Sequence, residues 1–386
     1  MSTEPASQYS HISYTPSDTE SRIDALIEAS HHWTPVQGRI IKNFDTRAFT
    51  EALLAEVPAT SSRPHEDRAD AVLRVLADQL FFKGAPEHLS PSSGDVVNKI
   101  RDAVAYDRPL EIVIPSFPGR PSSPITHLRM EPDISELYAF ALLARIDKAV
   151  KYIYPPGVHF TIILDGKAYD PFYGYTPEAD AAYPDYLAGL VSSAGLSSVI
   201  SMIDLADMVA ARRPEFDALK PKVEARLVHN WRDPSFALRE ELLHTMRLGS
   251  NTYSVNAAAV ELAKYSDKYS DNEIVSLVRR MSSAVADRAR ETAFEYMVFL
   301  TVIKEMRLIS ERFPTAVRGT VHPKPGQYAP RLTHPSVHIA PWHGVGILLP
   351  DGHVNSVYEA HVWANPQGFR GVYLAGEYTP FFYEQI

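Results

Sequence analysis

Hydrophobic residues change from a helical to a strand-like spacing near position 110. Before it, the segments SRIDALIEA, TRAFTEALLAEV and EDRADAVLRVLADQLFF carry apolar residues at i, i+3 and i+4. This spacing predicts amphipathic helices, separated by breaks rich in proline and serine. We expect residues 21–109 to form a helical layer over the core, and the polar residues 1–20 to form a disordered tail.

Short apolar runs then alternate with helical patterns. The predicted strands are LEIVIP at Leu110–Pro115, VHFTIILDG at Val158–Gly166 and SSVISMID at Ser197–Asp204. The amphipathic helices between them are predicted from about Asp133 to Tyr152 and around Glu178–Ser193. This β-α-β-α-β alternation over residues 110–204 predicts an α/β fold with a mostly parallel, Rossmann-like central sheet flanked by helices.

The remainder of the chain divides into a helical and a β-rich part. Residues 205–313 have a helical pattern, whereas residues 314–386 contain four predicted strand segments, AVRGTVHPKP, SVHIAPWHGVGILLP, HVNSVYEAHVW and RGVYLAGEY. We expect this β-rich C-terminal part to be added to the central sheet. All of residues 21–386 are predicted to form a single catalytic domain.

Composition removes several classes of function. The chain has 386 residues, a formal charge of −9 and no cysteine. The acidic balance argues against nucleic-acid binding, and the lack of cysteine excludes disulfides and thiol nucleophiles. No run approaches the roughly 18 apolar residues of a membrane-spanning helix, and no signal pattern begins the chain, so we expect a cytoplasmic protein without membrane contact.

Candidate chemistry lies at the carboxyl ends of the predicted strands, where open α/β sheets bind ligands. The loop PSFPGRPSSP presents Arg120 and serine hydroxyls, including Ser122, either to a phosphate or carboxylate or simply to solvent. Asp165 ends a buried strand, where a carboxylate costs free energy unless it is paired or ligated, so it is either a functional group or part of an Asp-Gly turn. Both pairs of interpretations remain open at this point.

Asp133 and Glu136 are a third candidate, as an acid and base pair. An Asp at a helix start followed three residues later by a Glu also resembles a capping box. The sequence favours this structural role.

Histidines concentrate near the C-terminus, where six of the 15 lie between His322 and His361. A zinc site is disfavoured because the chain has no H-E-x-x-H and strand positions alternate between faces. In APWHGVG, Trp342 and His343 either pack as a turn or form an aromatic wall beside a general acid/base, since histidine titrates near neutral pH. Motifs of P-loop NTPases, dinucleotide enzymes and serine hydrolases are absent.

An ordered set of segments resembles the pyoverdine/dityrosine biosynthesis family, the isonitrile synthases. The set is IPSFPGRPSSP, EPDISELYAF, YIYPPGVHFTIILDGKAYD, RARETAFEYMVFL, FPTAVRGTVHPKP and APWHGVGILLPDG, from about Leu110 to Gly352. The resemblance implies an enzyme of secondary metabolism, of the carbon–carbon lyase type. It would convert the α-amino group of an amino acid, typically tyrosine or tryptophan, to an isonitrile. Its two small-molecule substrates would be that amino acid and the carbon donor ribulose 5-phosphate, without a cofactor or metal.

Residue roles follow from the resemblance as hypotheses. His343 and Asp165 would act as acid/base groups assisted by His322, and Trp342 would form a pocket wall. Arg120, together with Arg318 or Lys324, would bind phosphate, and Arg288 is the candidate for the substrate carboxylate. Ser122 is also expected among the substrate-binding residues.

One departure from the family pattern concerns Arg120, where family members usually carry Lys. Arginine retains the charge but cannot form a Schiff base. The competing hypotheses are therefore a family member with a different substrate or no activity, or a metal-dependent enzyme that uses the histidine-rich C-terminal third.

Overall fold

Two β-sheets contact the same buried helix in the computed structural model of the chain. The described residues are 36–84, 89, 94–120, 127, 129–173, 177–232, 294–321, 327–335, 337 and 339–386. The helices are α1 Thr46–Ala55, α2 Arg68–Leu76, α3 Gly94–Ala105, α4 Ile134–Lys151, α5 Gly166–Tyr173, α6 Pro177–Ser193, α7 Leu205–Ala210, α8 Arg213–Arg232, α9 at residues 294–305, α10 Leu308–Arg312 and α11 Glu359–Ala364. The strands are β1 Gly38–Ile41, β2 Leu110–Ser116, β3 Val158–Leu164, β4 Ile200–Asp204, β5 Val317–Arg318, β6 Val345–Leu348, β7 Val354–Val357, β8 Phe369–Leu374 and β9 Phe382–Gln385.

The first sheet confirms the predicted α/β core. Its four strands lie in the order β4-β3-β2-β5, and each neighbouring pair is parallel. β2 and β3 pair along their whole length, from Leu110 beside Val158 to Ser116 beside Leu164. Their carboxyl ends therefore meet at one edge, which places the loop after Ser116 next to Asp165.

The second sheet has five strands in the order β1-β8-β9-β6-β7. It is mixed, because β1 pairs with β8 and β6 with β9 in parallel, whereas β6 and β7 form an antiparallel pair joined by a short turn. The β-rich C-terminal part is thus confirmed, with β1 added from the N-terminal part of the chain.

Helix α4 contacts β3 in the first sheet and β6 and β7 in the second. Every residue in it is buried except Lys148 and Lys151. Its predicted bounds are confirmed, but its predicted amphipathic character is wrong because both of its faces are covered. Asp133 caps its N-terminus in a capping box with Glu136, as the sequence favoured.

Some predicted strands are wrong or shorter than expected. Val337 and Ile339, within the predicted strand SVHI, are not in a strand, and the second half of HVNSVYEAHVW forms α11. In the described part of AVRGTVHPKP, residues 316–321, the only strand is β5. The predicted helix SRIDALIEA lies outside the described residues. Among the described helices, none has the length and apolar character needed to cross a membrane.

Candidate functional site

A cavity of about 390 Å³ opens at the carboxyl ends of β2 and β3. This is the edge at which parallel α/β sheets bind ligands. Ser116 and Asp165 line it from the two strand ends, and Trp342 and His343 line it from the turn that precedes β6. Three residues that were predicted to act together, Asp165, Trp342 and His343, therefore share one cavity.

The turn with Trp342 and His343 is a short 3₁₀ helix, Pro341–His343. The Trp342 side chain is buried at 4% exposure, and its ring centroid lies 4.6 Å from that of Phe117. His343 is exposed, with its ring 6.0 Å from that of Trp342. The turn therefore serves both folding and site geometry, because the buried tryptophan fixes the backbone from which His343 reaches the cavity.

The two glycines after His343 allow close backbone approaches. A Cβ atom on Gly344 would lie 2.4 Å from the carbonyl oxygen of Val357 in β7. A Cβ atom on Gly346 would lie 2.2 Å from Cγ2 of Ile134 and 3.1 Å from the amide nitrogen of Ser135, at the start of α4. The turn is thus seated directly against β7 and α4.

Substitution of Gly346 by alanine is expected to lower the free energy of unfolding by about 1–3 kcal/mol, the usual cost of overpacking a core. Urea denaturation measures this loss. Gly189→Ala is the matched control, because no atom lies within 4 Å of a Cβ atom at this position in α6. Alanine in a helix interior should stabilise by roughly 0.5–1 kcal/mol there. Equal stability of the two variants would contradict the close approach.

The Asp165 side of the cavity is aromatic, and a cation outside the described lining, Arg318, lies close to Asp165. Tyr169 follows Asp165 by one helical turn in α5, and its ring meets that of Tyr296 edge to face at 5.1 Å. Burial, Asp165 and Tyr296 raise the pKa of Tyr169 well above its usual range, so it keeps its proton at neutral pH. Burial lowers the pKa of Arg318. The nearby Tyr169 and Asp165 act in the opposite direction, so Arg318 lies close to both of them.

Lys83 lies at the cavity rim, a residue that the sequence did not single out. Its side chain is exposed, and its Nζ is 3.4 Å from the carbonyl oxygen of Val321. Desolvation by the surrounding protein and the charge of Arg331 lower the pKa of Lys83. Lys83 and the positively charged Arg331 therefore lie near each other, and Lys83 is the one of the two that lines the cavity.

Arg120 lies in a buried ion cluster instead of at an exposed position. Its Nη1 donates to both carboxylate oxygens of Glu136, at 2.8 and 2.7 Å. Its Nη2 donates to Asp133 at 2.9 Å, and the Tyr183 hydroxyl donates to Glu136 at 3.1 Å. Neither the Arg120 nor the Glu136 side chain is exposed. This environment favours a structural role for Arg120 over the predicted contact with phosphate.

One guanidinium faces two carboxylates in this cluster, so the charges do not balance. Burial, followed by the neighbouring Asp133, raises the pKa of Glu136 to about 7 against the opposing effect of Arg120. In the folded state Glu136 then holds a proton at pH values where the unfolded chain has lost it. Its contribution to stability is full below about 4.5 and is lost as pH rises through about 7.

The free energy of unfolding is therefore expected to fall as pH rises between these two values. Glu136→Gln, which is neutral at every pH, should lose this part of the dependence. Urea denaturation at several pH values measures it, with the exposed Glu51→Gln as the control. Parallel pH profiles of wild type and Glu136→Gln would contradict the raised pKa.

The other predicted site residues, Ser122, Arg288, His322 and Lys324, lie outside the described residues. Tyr169 was detectable in the sequence, since a residue four positions after Asp165 in a helix shares its face. Lys83 was not, because it is far from the strand ends along the chain.

The described histidines do not gather at one point. His334 and His353 have ring centroids 5.4 Å apart, and His361 lies against Phe369 at 6.1 Å. Within the described part of the chain, no three His, Asp or Glu side chains are grouped as metal ligands.

Two other cavities are less suited to chemistry. One of about 350 Å³ contains Arg108 and His159 but opens at the amino ends of β2 and β3. Another of about 590 Å³ is lined by aromatic rings and by Lys167, Arg213 and Lys220. Arg213 pairs with Asp217 at 2.8 Å and Lys167 with Asp204 at 3.2 Å, and no histidine is among its described lining residues. The strand-end cavity combines its position with an exposed imidazole and a carboxylate, so it is the candidate active site.

Comparison with known proteins agrees with this architecture. The family profile described as pyoverdine/dityrosine biosynthesis protein matches residues 100–367. An L-tyrosine isonitrile synthase of Pseudomonas aeruginosa is 25% identical over 294 residues, which cover 72% of this chain and 84% of that protein. An L-tyrosine isonitrile synthase of Xenorhabdus nematophila is 21% identical over 253 residues, covering 64% and 70%. An L-tryptophan isonitrile synthase, AmbI2 of Fischerella ambigua, is 24% identical over 127 residues, covering 33% and 38%.

The fold is shared as well. The crystal structure of the PvcA protein from Pseudomonas aeruginosa has a TM-score of 0.62 to this chain at 20% sequence identity, covering 83% of this chain and 100% of PvcA. The fold and the strand-end cavity define an α/β protein of an enzyme family. This chain belongs to the pyoverdine/dityrosine biosynthesis family, and the predicted resemblance is confirmed. Asp165 and His343 lie within the matched residues, whereas Lys83 precedes them.

Proposed function

We propose that the protein is an isonitrile synthase that converts the α-amino group of an amino acid, tyrosine or tryptophan, to an isonitrile with ribulose 5-phosphate as the carbon donor. The observation that carries the proposal is the convergence of His343 and Asp165 on one strand-end cavity in a member of this family. The names of the relatives support both aromatic amino acids as substrates.

The proposed reaction requires proton transfer at several steps. The amine must condense with the sugar ketone to an imine with loss of water, protons must move, phosphate must leave and a carbon–carbon bond must break. Positioned acid/base groups accelerate such transfers by roughly 10²–10⁴-fold. His343 is exposed to the cavity and can take or deliver a proton, and the Asp165 carboxylate can act as its counterpart across the cavity.

The cavity also suits the size and chemistry of these substrates. Its volume of about 390 Å³ is in the usual range for small-molecule sites, roughly 300–1,000 Å³. The Tyr169 hydroxyl, protonated at neutral pH, can donate a hydrogen bond to a substrate oxygen. Trp342 and Tyr296 contribute aromatic surface against which a side chain of the amino acid can pack.

We assign the phosphate group to the rim, where Lys83 lies near Arg331. Lys83→Met is expected to raise the KM for ribulose 5-phosphate about tenfold, the lower end for a hydrogen bond to a charged group. The KM for the amino acid should stay constant. Lys222→Met, an exposed lysine on α8, is the control in the same steady-state assay. An unchanged KM would remove Lys83 from the assignment and leave the proposed reaction standing.

Incubation of the purified protein with ribulose 5-phosphate and each amino acid tests the function. Mass spectrometry should detect a product in which the neutral amino acid has gained one carbon and lost two hydrogens. Ribulose labelled with ¹³C at C2 should pass its label to that carbon. Absence of such a product with every amino acid would reject the proposal, and a product with unlabelled carbon would reject the donor alone.

A further inference from the structure

Three buried side chains hold the backbone on both sides of His343. The Nε2 atom of His127 donates to the carbonyl oxygen of Trp342 at 3.2 Å. Arg120 Nη2 donates to the carbonyl oxygen of Gly344 at 3.0 Å. The amide nitrogen of Gly346 donates to Oδ2 of Asp133 at 3.2 Å. The peptide group immediately before His343 and the one that follows Gly344 are therefore both fixed by side chains from elsewhere in the fold.

These anchoring side chains are themselves fixed. The exposures of the whole residues are 3% for Arg120, 1% for His127 and 1% for Asp133. Glu136 occupies the second nitrogen of Arg120, and Asp133 caps α4 through the amide of Ser135 at 2.6 Å. A guanidinium that is held at both of its terminal nitrogens, Nη1 and Nη2, has little rotational freedom, because its donors form a rigid planar fork.

We infer that Arg120, Asp133 and His127 are positioning residues that orient His343 toward the cavity. The inference rests on the proposed function, since it assigns them to the His343 of that reaction. None of the three lines the cavity, so they act on the reaction through the turn. Arg120 would then matter for the geometry of the site and would not need to contact phosphate.

The protonation of His127 fits this role. A carbonyl oxygen only accepts hydrogen bonds, so Nε2 of His127 must carry a hydrogen. Burial, with the nearby Arg120 and His343, lowers the pKa of His127 well below its usual range. The imidazole therefore stays neutral, and its anchoring bond persists across the working pH range.

His127→Ala removes one anchor without removing a charge. We expect kcat to fall about 100-fold, the cost of a misplacement of about 1 Å in a catalytic group, with KM values within about twofold. His127→Gln, whose side-chain amide can replace the Nε2 donor, should recover most of the loss. Arg145→Met is the control for general destabilisation and should retain kcat. It removes another buried arginine of α4, which pairs with Glu56 at 3.5 Å.

A double variant separates positioning from structural damage. If His127 acts through His343, then His127→Ala should cause no further loss of kcat in a His343→Ala protein. A further 100-fold loss in the double variant, or full activity of His127→Ala, would overturn the inference. If His127→Ala unfolds below the assay temperature, Arg120→Lys can be used in the same double-variant experiment. A single ammonium group cannot replace the planar guanidinium at the carbonyl oxygen of Gly344 and at both carboxylates.

A measurement without turnover distinguishes this inference from the proposed reaction. The ¹⁵N-labelled imidazole signal of His343, assigned by its loss in His343→Ala, should shift or broaden in His127→Ala. The same His343 signal should keep its wild-type position and line width in His127→Gln and Arg145→Met. An unchanged signal in His127→Ala would reject the positioning role even if the reaction is correct. A changed signal in a protein that makes no isonitrile would support the anchoring and reject the reaction.

Discussion

Replacing His343 by alanine should lower kcat by about 10²–10⁴-fold, the usual contribution of a positioned acid/base group. The free energy of unfolding should change by less than about 0.5 kcal/mol, as is usual for an exposed side chain. The contrast arises because Trp342 holds the turn in the core while His343 extends into the cavity. Steady-state kinetics and urea denaturation on the same preparation measure the two effects.

A matched control is available in α11. His361 is also exposed, and its ring lies against Phe369 away from the turn. His361→Ala should keep kcat within about twofold of wild type, a factor that corresponds to under 0.5 kcal/mol. Turnover of His343→Ala at the same level as His361→Ala would remove His343 from the proton-transfer steps.

The largest loss of stability is expected from Arg120→Met. Removing one partner from a buried ion pair costs about 3–5 kcal/mol, because a buried charge is left without compensation. Here two carboxylates, Asp133 and Glu136, lose the guanidinium that they share. Lysine at this position keeps the charge but not the planar fork, so Arg120→Lys should fall between wild type and Arg120→Met.

Urea denaturation measures these losses, and an exposed ion pair supplies the control. Arg39 pairs with Glu384, and their side chains are 46% and 22% exposed. Arg39→Met should therefore cost below about 1 kcal/mol. If Arg120→Met costs no more than Arg39→Met, the cluster does not depend on the guanidinium, and its structural role would have to be abandoned.

The parallel core was predictable because β2 and β3 are largely buried and appear as short, mostly apolar runs. The alternation of these runs and β4 with helices favours a parallel order. β1 and β9 were not predicted, since each has only four residues, and β1 also pairs with β8 at the other end of the chain. Phe382 of β9 and Ile41 of β1 pack in one hydrophobic cluster with residues of α4, a contact that the local pattern does not record.

Arg120 shows why the site was only partly predictable. Its charge at a strand end predicts an anion contact, and the structure supplies carboxylates of the protein itself, 13 and 16 residues further along. The same nitrogen that binds Asp133 reaches Gly344, 224 residues away. Sequence spacing identifies the capping box but carries no information about which arginine faces it.

The contacts of α4 with both sheets have a consequence for cooperativity. Unfolding of either sheet would expose one apolar face of a helix whose other face remains covered, so neither sheet forms a separate unit of stability. The turn is attached to the same helix through Asp133 and Gly346. Local opening of the site is thus linked to unfolding of the whole fold.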